Sequence, residues 1–170
     1  LDIAFASSDI LTAEALRHDH EARAFSLFAY ETRFHAHPDH PIMALKRDLT
    51  ADDVLTHPIA SLSISRTLRE SFPVSLTETQ NAHLRALQAG DYGLLRRVVL
   101  DGRAIGFGPA PLFERDVREG RIVSLRYGSV RERRGIALVM PEYLQSPLAR
   151  QVIDIASQAA RRMEDMRDPG

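Results

Sequence analysis

The chain has 170 residues, 44% hydrophobic and 26% charged, the profile of a globular protein long enough to bury a core as one domain or two small lobes. Its formal net charge of −1 gives no bulk electrostatic reason for nucleic-acid binding by this segment. The lack of cysteine excludes disulfides, thiolate metal sites and cysteine nucleophiles and fits a cytoplasmic location, and no apolar run is long enough to cross a membrane.

Leu1–Ala6 alternates like a strand, with Ser7-Ser8-Asp9 as a polar loop at its carboxyl end and a brief helix or turn around Thr12–Leu16. The chain opens in this strand without a methionine or a basic n-region, so Leu1 reads as a cut and not as a natural start. Phe25–Phe34 suits a long strand, with Ala24, Ser26, Phe28 and Tyr30 on one face and Phe25, Leu27 and Ala29 on the other. The prolines of His35-Ala-His-Pro-Asp-His-Pro41 break regular structure and mark a linker. Thr50-Ala-Asp-Asp is close to a capping box and announces a helix through Thr56. Pro58–Ser65 is expected as a strand, and Phe72–Gln80 with His83–Gln88 as a hairpin that turns near Asn81-Ala82.

The densest signal runs from Gly90 to Pro109. Asp91 can cap a helix that carries Leu94, Leu95, Val98 and Val99 on one face, and Gly102 suits the left-handed position that ends it. Ala104–Phe107 is a short buried strand, and Gly108-Pro109 opens onto a helix through Val117 that Gly120 stops. Helix, strand and helix with glycine and proline at the strand exit is the way an open α/β sheet builds a ligand cleft. After Arg121–Leu125, Tyr127-Gly128 is a second linker, and Gly135–Met140 is a strongly apolar strand. Ser146-Pro147 starts a helix in which Leu148, Val152, Ile155, Ala156 and Ala159 keep helical spacing toward Arg162, and the polar tail after Met163 is expected to fray. The two linkers divide the chain into one lobe from residues 1–35 and 129–165, a second from 36–128, and a tail of 166–170.

Several short motifs stand in a telling order: Leu1-Asp-Ile-Ala-Phe, Pro38-Asp-His-Pro-Ile42, Leu49-Thr-Ala-Asp-Asp-Val-Leu55 with His57-Pro58, and Gly90-Asp-Tyr-Gly-Leu-Leu. Leu100-Asp-Gly-Arg-Ala-Ile-Gly-Phe-Gly-Pro109 and Glu119-Gly-Arg-Ile-Val123 follow. Together, from Leu1 to about Arg162, they resemble the effector-binding, or substrate-binding, domain of LysR-type transcriptional regulators. The resemblance implies an α/β fold of two Rossmann-like subdomains with a hinged cleft, as in type 2 periplasmic binding proteins. A small-molecule effector occupies that cleft in the family, with no cofactor. The resemblance further implies an N-terminal winged helix-turn-helix for DNA binding, and homo-oligomers, either dimers or tetramers. The winged helix and the first strand–helix–strand of the first subdomain would precede Leu1, so the first subdomain is incomplete.

By position, Ser7 and Ser8 would face the cleft from the first lobe. Ser63, Ser65 and Thr67 would line the second lobe at a strand-to-helix exit, Gly90, Asp91 and Tyr92 the start of the next helix, and Gly108 and Pro109 the loop beyond. Hydroxyls and free amides at helix starts suit anions, so an organic acid or an amino acid is the implied effector class. An inward-pointing Asp91 would oppose an anion.

Two other functions fit parts of the sequence. A periplasmic-type solute-binding protein would share the architecture but carry an export signal upstream and act as a monomer. A small metal-dependent hydrolase would use the histidines at 18, 20, 35, 37 and 40, of which His35 and His37 share a strand face. No catalytic metal frame accompanies them, so exposed linker histidines are the preferred reading, with neither a metal site nor an enzyme expected. Gly102, Gly106 and Gly108 lack the third glycine of a dinucleotide fingerprint, which would fall at Pro111. Ser61, Ser63 and Ser65 lack the glycine elbow of a serine nucleophile. Arg96, Arg97, Arg131, Arg133 and Arg134 are diluted by Glu114, Asp116, Glu119 and Glu132 into a solvated surface. Tyr92 suits either stacking on an effector or closing its helix's first turn against the core.

Overall fold

A computed structural model describes residues 3–7, 23–62, 66–72, 75–128, 131–139 and 143–167. In chain order its elements are β1 (Ile3–Ser7), β2 (Arg23–Ala36), a 3-10 turn (Pro41–Ala44), α1 (Ala51–Leu55), β3 (Ile59–Ser61), α2 (Arg66–Glu70), α3 (Glu78–Leu84) and β4 (Leu87–Gln88). Then come α4 (Tyr92–Leu100), β5 (Ile105–Pro109), α5 (Ala110–Arg118), β6 (Val123–Ser124), β7 (Arg131–Val139) and α6 (Pro147–Arg167). The chain forms two compact units, Leu1–Tyr30 with Glu132–Gly170, and Glu31–Arg131. The turn expected around Thr12–Leu16 and the residues Ser8, Ser63 and Ser65 lie outside the described residues.

In the first unit β1 pairs antiparallel with β7, from Ile3 opposite Val139 to Ser7 opposite Gly135, and β7 in turn neighbours β2. Ser7 is therefore the last residue of a strand and not part of a loop. Gly135 lets the Phe28 ring lie against the backbone, where a Cβ would collide with it. Tyr30, Ile136, Ala137 and Val139 are buried. Helix α6 continues to Arg167, past the fraying expected after Met163. Its buried positions are Ala149 and Ala160, with Val152, Ile153 and Ala156 half-buried. Leu148 and Ile155 are 67% and 66% exposed, so the apolar stripe is rotated from the one the spacing predicts.

The second unit is a sheet ordered β2-β5-β3-β4, with β6 pairing β2. Strands β3, β4 and β5 are mutually parallel, and β2 is antiparallel to β5 and β6. Helices cover both faces, so these short strands are buried on both sides and read as apolar runs without alternation. One face joins Phe34, Ile59, Ile105 and Phe107 to Leu55, Leu68, Phe72 and Leu84. The other joins Ala60 and Ala104 to Leu95, Val99, Phe113 and Ile122.

Local signals place the helices. Thr50 and Asp53 form the reciprocal capping box that starts α1. The Asp91 carboxylate accepts the Leu94 N–H at 2.8 Å at the start of α4, and Gly102, at φ +69°, provides the left-handed residue after its end. Leu95 and Val99 are fully buried, but Leu94 is 47% exposed, so the inward face is narrower than four residues.

Three expectations are corrected. The hairpin at 72–88 is instead helix α3 followed by β4 parallel to β3. Thr77 and Gln80 form a second capping box, and Leu84 anchors the helix in the core, which outweighs the strand-like composition. Gly108 and Pro109 complete β5 in place of a loop, with Pro109 opposite Thr32 and also the N-cap of α5. Two of the histidines, His35 and His40, are not exposed linker residues, while His18 and His20 lie outside the described residues. His35 belongs to β2 and His40 to the turn after it, and they are only 1% and 5% exposed, the ring of His35 lying against Phe113 of α5 and that of His40 against His57.

Candidate functional site

The second unit carries an open groove of about 890 Å³ on the sheet face that presents Phe34 and Phe107. Thr32, Arg33 and Phe34 of β2 form its floor with Phe107 of β5. Asp48, Leu49 and Ala51 enter α1 along one side, Glu70 and Ser71 close α2 on another, and residues Ser124–Gly128 complete the lining. The Leu49 N–H donates to the Arg126 carbonyl at 3.3 Å and ties two of these segments together.

An aromatic cluster shapes the wall. The Phe34 ring lies 4.8 Å from Phe107 and 5.4 Å from Tyr127, and Tyr127 stacks on Phe72 at 5.6 Å. The Tyr127 hydroxyl donates to the Ser71 carbonyl at 2.7 Å, bridging segments 56 residues apart. Burial pushes its phenol up to about 12, so it remains a proton donor at any ordinary pH. Such a surface suits a flat apolar group held beside a few polar ones.

The charges at the groove differ in availability. Arg33 is occupied by the Glu31 carboxylate through two hydrogen bonds of 2.9 and 2.6 Å. Arg47, just outside, is spent on Asp53 at 2.7 and 2.9 Å. Arg126 is exposed, and its guanidinium has no partner among the described residues. A smaller groove of about 580 Å³ shares Asp48, Leu49 and Ser124–Arg126 and adds Lys46. Ser124, common to both, meets His35 Nδ1 at 3.2 Å beneath them. Among the described residues no group of three or more His, Asp or Glu side chains is placed to hold a metal ion.

Of the ten residues singled out from the sequence, Ser8, Ser63 and Ser65 lie outside the described residues, and Gly90, Asp91, Tyr92, Gly108 and Pro109 are not part of this groove's lining. Ser7 ends β1 in the first unit, and Thr67 lies in α2. Gly90 is exposed with open space around it, Asp91 is engaged as a helix cap, and Tyr92 is 45% exposed at the first position of α4. Gly108 faces Leu95 and Phe113 on the opposite side of the sheet from the groove. Pro109 ends β5 beside Thr32, which does line the groove. Sequence reasoning missed Phe34, Arg126 and Tyr127. The available signal was an arginine and an aromatic immediately before Gly128, a residue at φ +70°.

Residues 1–161 match the family model of the LysR substrate binding domain. Among solved structures, the chain is similar to the regulatory domain of CrgA, a LysR-type transcriptional regulator from Neisseria meningitidis, with 17% identity, 94% of this chain and 76% of that one covered, and a TM-score of 0.69. It is similar also to the regulatory domain of MetR, a LysR family regulator from N. meningitidis, with 17% identity, coverage of 92% and 69%, and a TM-score of 0.65. The effector domain of the transcriptional regulator AmpR of Pseudomonas aeruginosa is a third likeness, with 16% identity, coverage of 96% and 76%, and a TM-score of 0.61. No curated protein matches. The structural likenesses show a shared fold, a mixed α/β arrangement of the type 2 periplasmic-binding-protein kind. With the family match spanning almost its whole length, the chain belongs to the LysR substrate-binding-domain family, a family of regulatory domains.

Proposed function

We propose that this chain senses a small-molecule effector for a LysR-type regulator and binds it without transforming it. The observation that carries the reading is the groove beside Tyr127, which combines an aromatic wall with the unengaged Arg126 guanidinium. That pairing favours a carboxylate-bearing ligand, an organic acid or an amino acid, with an apolar body. Ser7, Ser8, Ser63, Ser65, Thr67, Gly90, Asp91, Tyr92, Gly108 and Pro109 stay as further candidate contacts.

In the whole regulator, the effector would favour one conformation of this domain and thereby change how a homo-oligomer presents its DNA-binding heads in the cytoplasm. Segments 1–35 with 129–165 and segment 36–128 are proposed as the two subdomains. No described helix is long and apolar enough to cross a membrane.

Thermal unfolding in a panel of carboxylic acids and amino acids tests the binding. A ligand at a hundred times its Kd stabilises the folded chain by about 2.7 kcal/mol. Arg126→Ala and Tyr127→Ala are expected to abolish the shift of any ligand that produces one, and an undiminished shift in both variants would remove the groove from the site. Reading the codons upstream of Leu1 tests the coupling to DNA: an in-frame helix-turn-helix supports it, and an export signal transfers the protein to solute binding.

A further inference from the structure

The turn after β2 holds a histidine whose hydrogen bonding is incompatible with protonation. His40 is 5% exposed, and its Nδ1 accepts the backbone N–H of Ile42 at 3.2 Å, capping the 3-10 turn Pro41–Ala44. The turn continues through Leu45 N–H to the Ile42 carbonyl at 3.2 Å, and Ile42 itself is a core residue at 1% exposure. Four and five residues beyond the turn, Asp48 and Leu49 form part of the groove lining. A neutral imidazole can offer Nδ1 as an acceptor, whereas both nitrogens of the cation are donors. Proton uptake at Nδ1 therefore sets an N–H against the N–H of Ile42.

The ring has little room to turn aside. His57 meets it edge to face with centroids 4.7 Å apart, and His37 N–C=O geometry closes the turn, its carbonyl accepting the His40 N–H at 3.0 Å. The charges that act on His40 are of one sign, His37 in its own turn and His57 beyond α1. His57 in turn feels His83 of α3, whose Nδ1 lies 2.7 Å from the Leu55 carbonyl, and Asp53 of α1. Asp53 is held by Arg47, and Asp39, exposed in the turn, lies 3.7 Å from His37 Nδ1.

We propose that His40 is a proton-operated latch on the segment that leads into the groove: closed while its ring is neutral, and released, together with residues 41–49, when Nδ1 takes a proton. Burial, then the neighbouring imidazoles of His57 and His37, hold His40 below the ordinary histidine value, which keeps the latch closed at neutral pH. The device does not depend on which molecule the groove takes.

Amide hydrogen exchange of the 15N-labelled chain, read as protection factors so that the intrinsic pH dependence cancels, tests this between about pH 7.5 and 5. Protection of Ile42, Met43 and Leu45 is expected to fall about tenfold per pH unit once His40 titrates. His40→Asn, which supplies a cap that cannot take a proton, should keep the protection at neutral pH and lose its decline in acid. His57→Gln should make the total decline smaller, because it relieves the repulsion that holds the closed-state His40 below its ordinary value. Protection that is flat across the range, or that declines equally in His40→Asn, overturns the proposal. Should His40→Asn fail to fold, the parent chain decides: the Ile42 amide shift must share the midpoint of the His40 ring signals, and a different midpoint rejects the latch.

Discussion

Arg96 reaches from α4 to the Asp116 carboxylate on α5, with Nη2 at 2.7 Å from Oδ1 and Nε on the other oxygen. Arg121 adds a third contact at 2.7 Å, and the Asp116 side chain has no exposed surface. A carboxylate removed from water needs such partners, and these convert it into a clamp between two helices and the segment before β6. The Asp116 carbonyl reinforces the clamp by accepting the Arg121 N–H at 2.8 Å.

Asp116→Ala is expected to cost about 1–2 kcal/mol, below the usual range for buried charged bonds because water resolvates both released guanidiniums. Arg96 and Arg121 side chains are already 37% and 46% exposed. Hydrogen bonding from Arg96 holds the Asp116 carboxyl below its ordinary 3.8. Its contribution is thus complete above that value and fades as the pH falls below it. Urea midpoints of parent and variant should differ at neutral pH and converge in acid; a gap that persists undiminished contradicts the assignment.

His35 gives a second, opposite-charge case of the same linkage. Its ring lies tilted against Phe113 with centroids 4.2 Å apart, and burial, with Arg33 nearby, lowers its pKa to about 3. The unfolded chain therefore binds the proton more tightly than the folded one. The stability that comes from keeping this ring neutral is intact above the ordinary value of 6.5 and is lost as the pH falls toward about 3. His35→Gln should make the urea midpoint less steeply dependent on pH between those limits than in the parent. An identical slope would show that His35 already takes up a proton in the folded chain.

Tyr127→Phe separates the two tasks of the groove tyrosine. It retains the ring against Phe34 and Phe72 but loses the hydrogen bond to the Ser71 carbonyl, at an expected cost of about 1 kcal/mol. Tyr127→Ala removes the wall as well, and its loss in thermal stability should be clearly larger. Equal losses would mean that the hydroxyl, and not the ring, holds this side of the groove.

Gly106 permits α4 to lie against β5. A Cβ at that position would collide with Val99 Cγ2 and approach Phe113 at 3.7 Å. Gly106→Ala is expected to destabilise the second unit by about 1–3 kcal/mol through overpacking. Adding Val99→Ala should recover part of that loss, measured as a double-mutant cycle; simple additivity would show that the two sites do not touch.

Signals confined to a few neighbouring residues were legible. The Thr50–Asp53 box, the Asp91 cap and the Gly102 stop act within one turn of backbone, and each stands where the spacing predicts. Thr77–Gln80 carries an equally local signal, which the strand-like composition around it masks. The groove was not legible. Phe34, Ser71 and Tyr127 meet only because β2, the end of α2 and the segment after β6 converge on one sheet face.

The sequence by itself determined the helix starts and stops, the buried apolar strands and, through the order of its motifs, the family. These follow from chain stereochemistry and from which residues must leave water. Tertiary structure alone decided that Asp116 is a clamp, that the histidines at 35 and 40 are buried, and that the aromatic wall stands beside Arg126. A side chain's charge and hydrogen-bonding role depend on what surrounds it, and those neighbours are brought by segments that the local sequence does not contain.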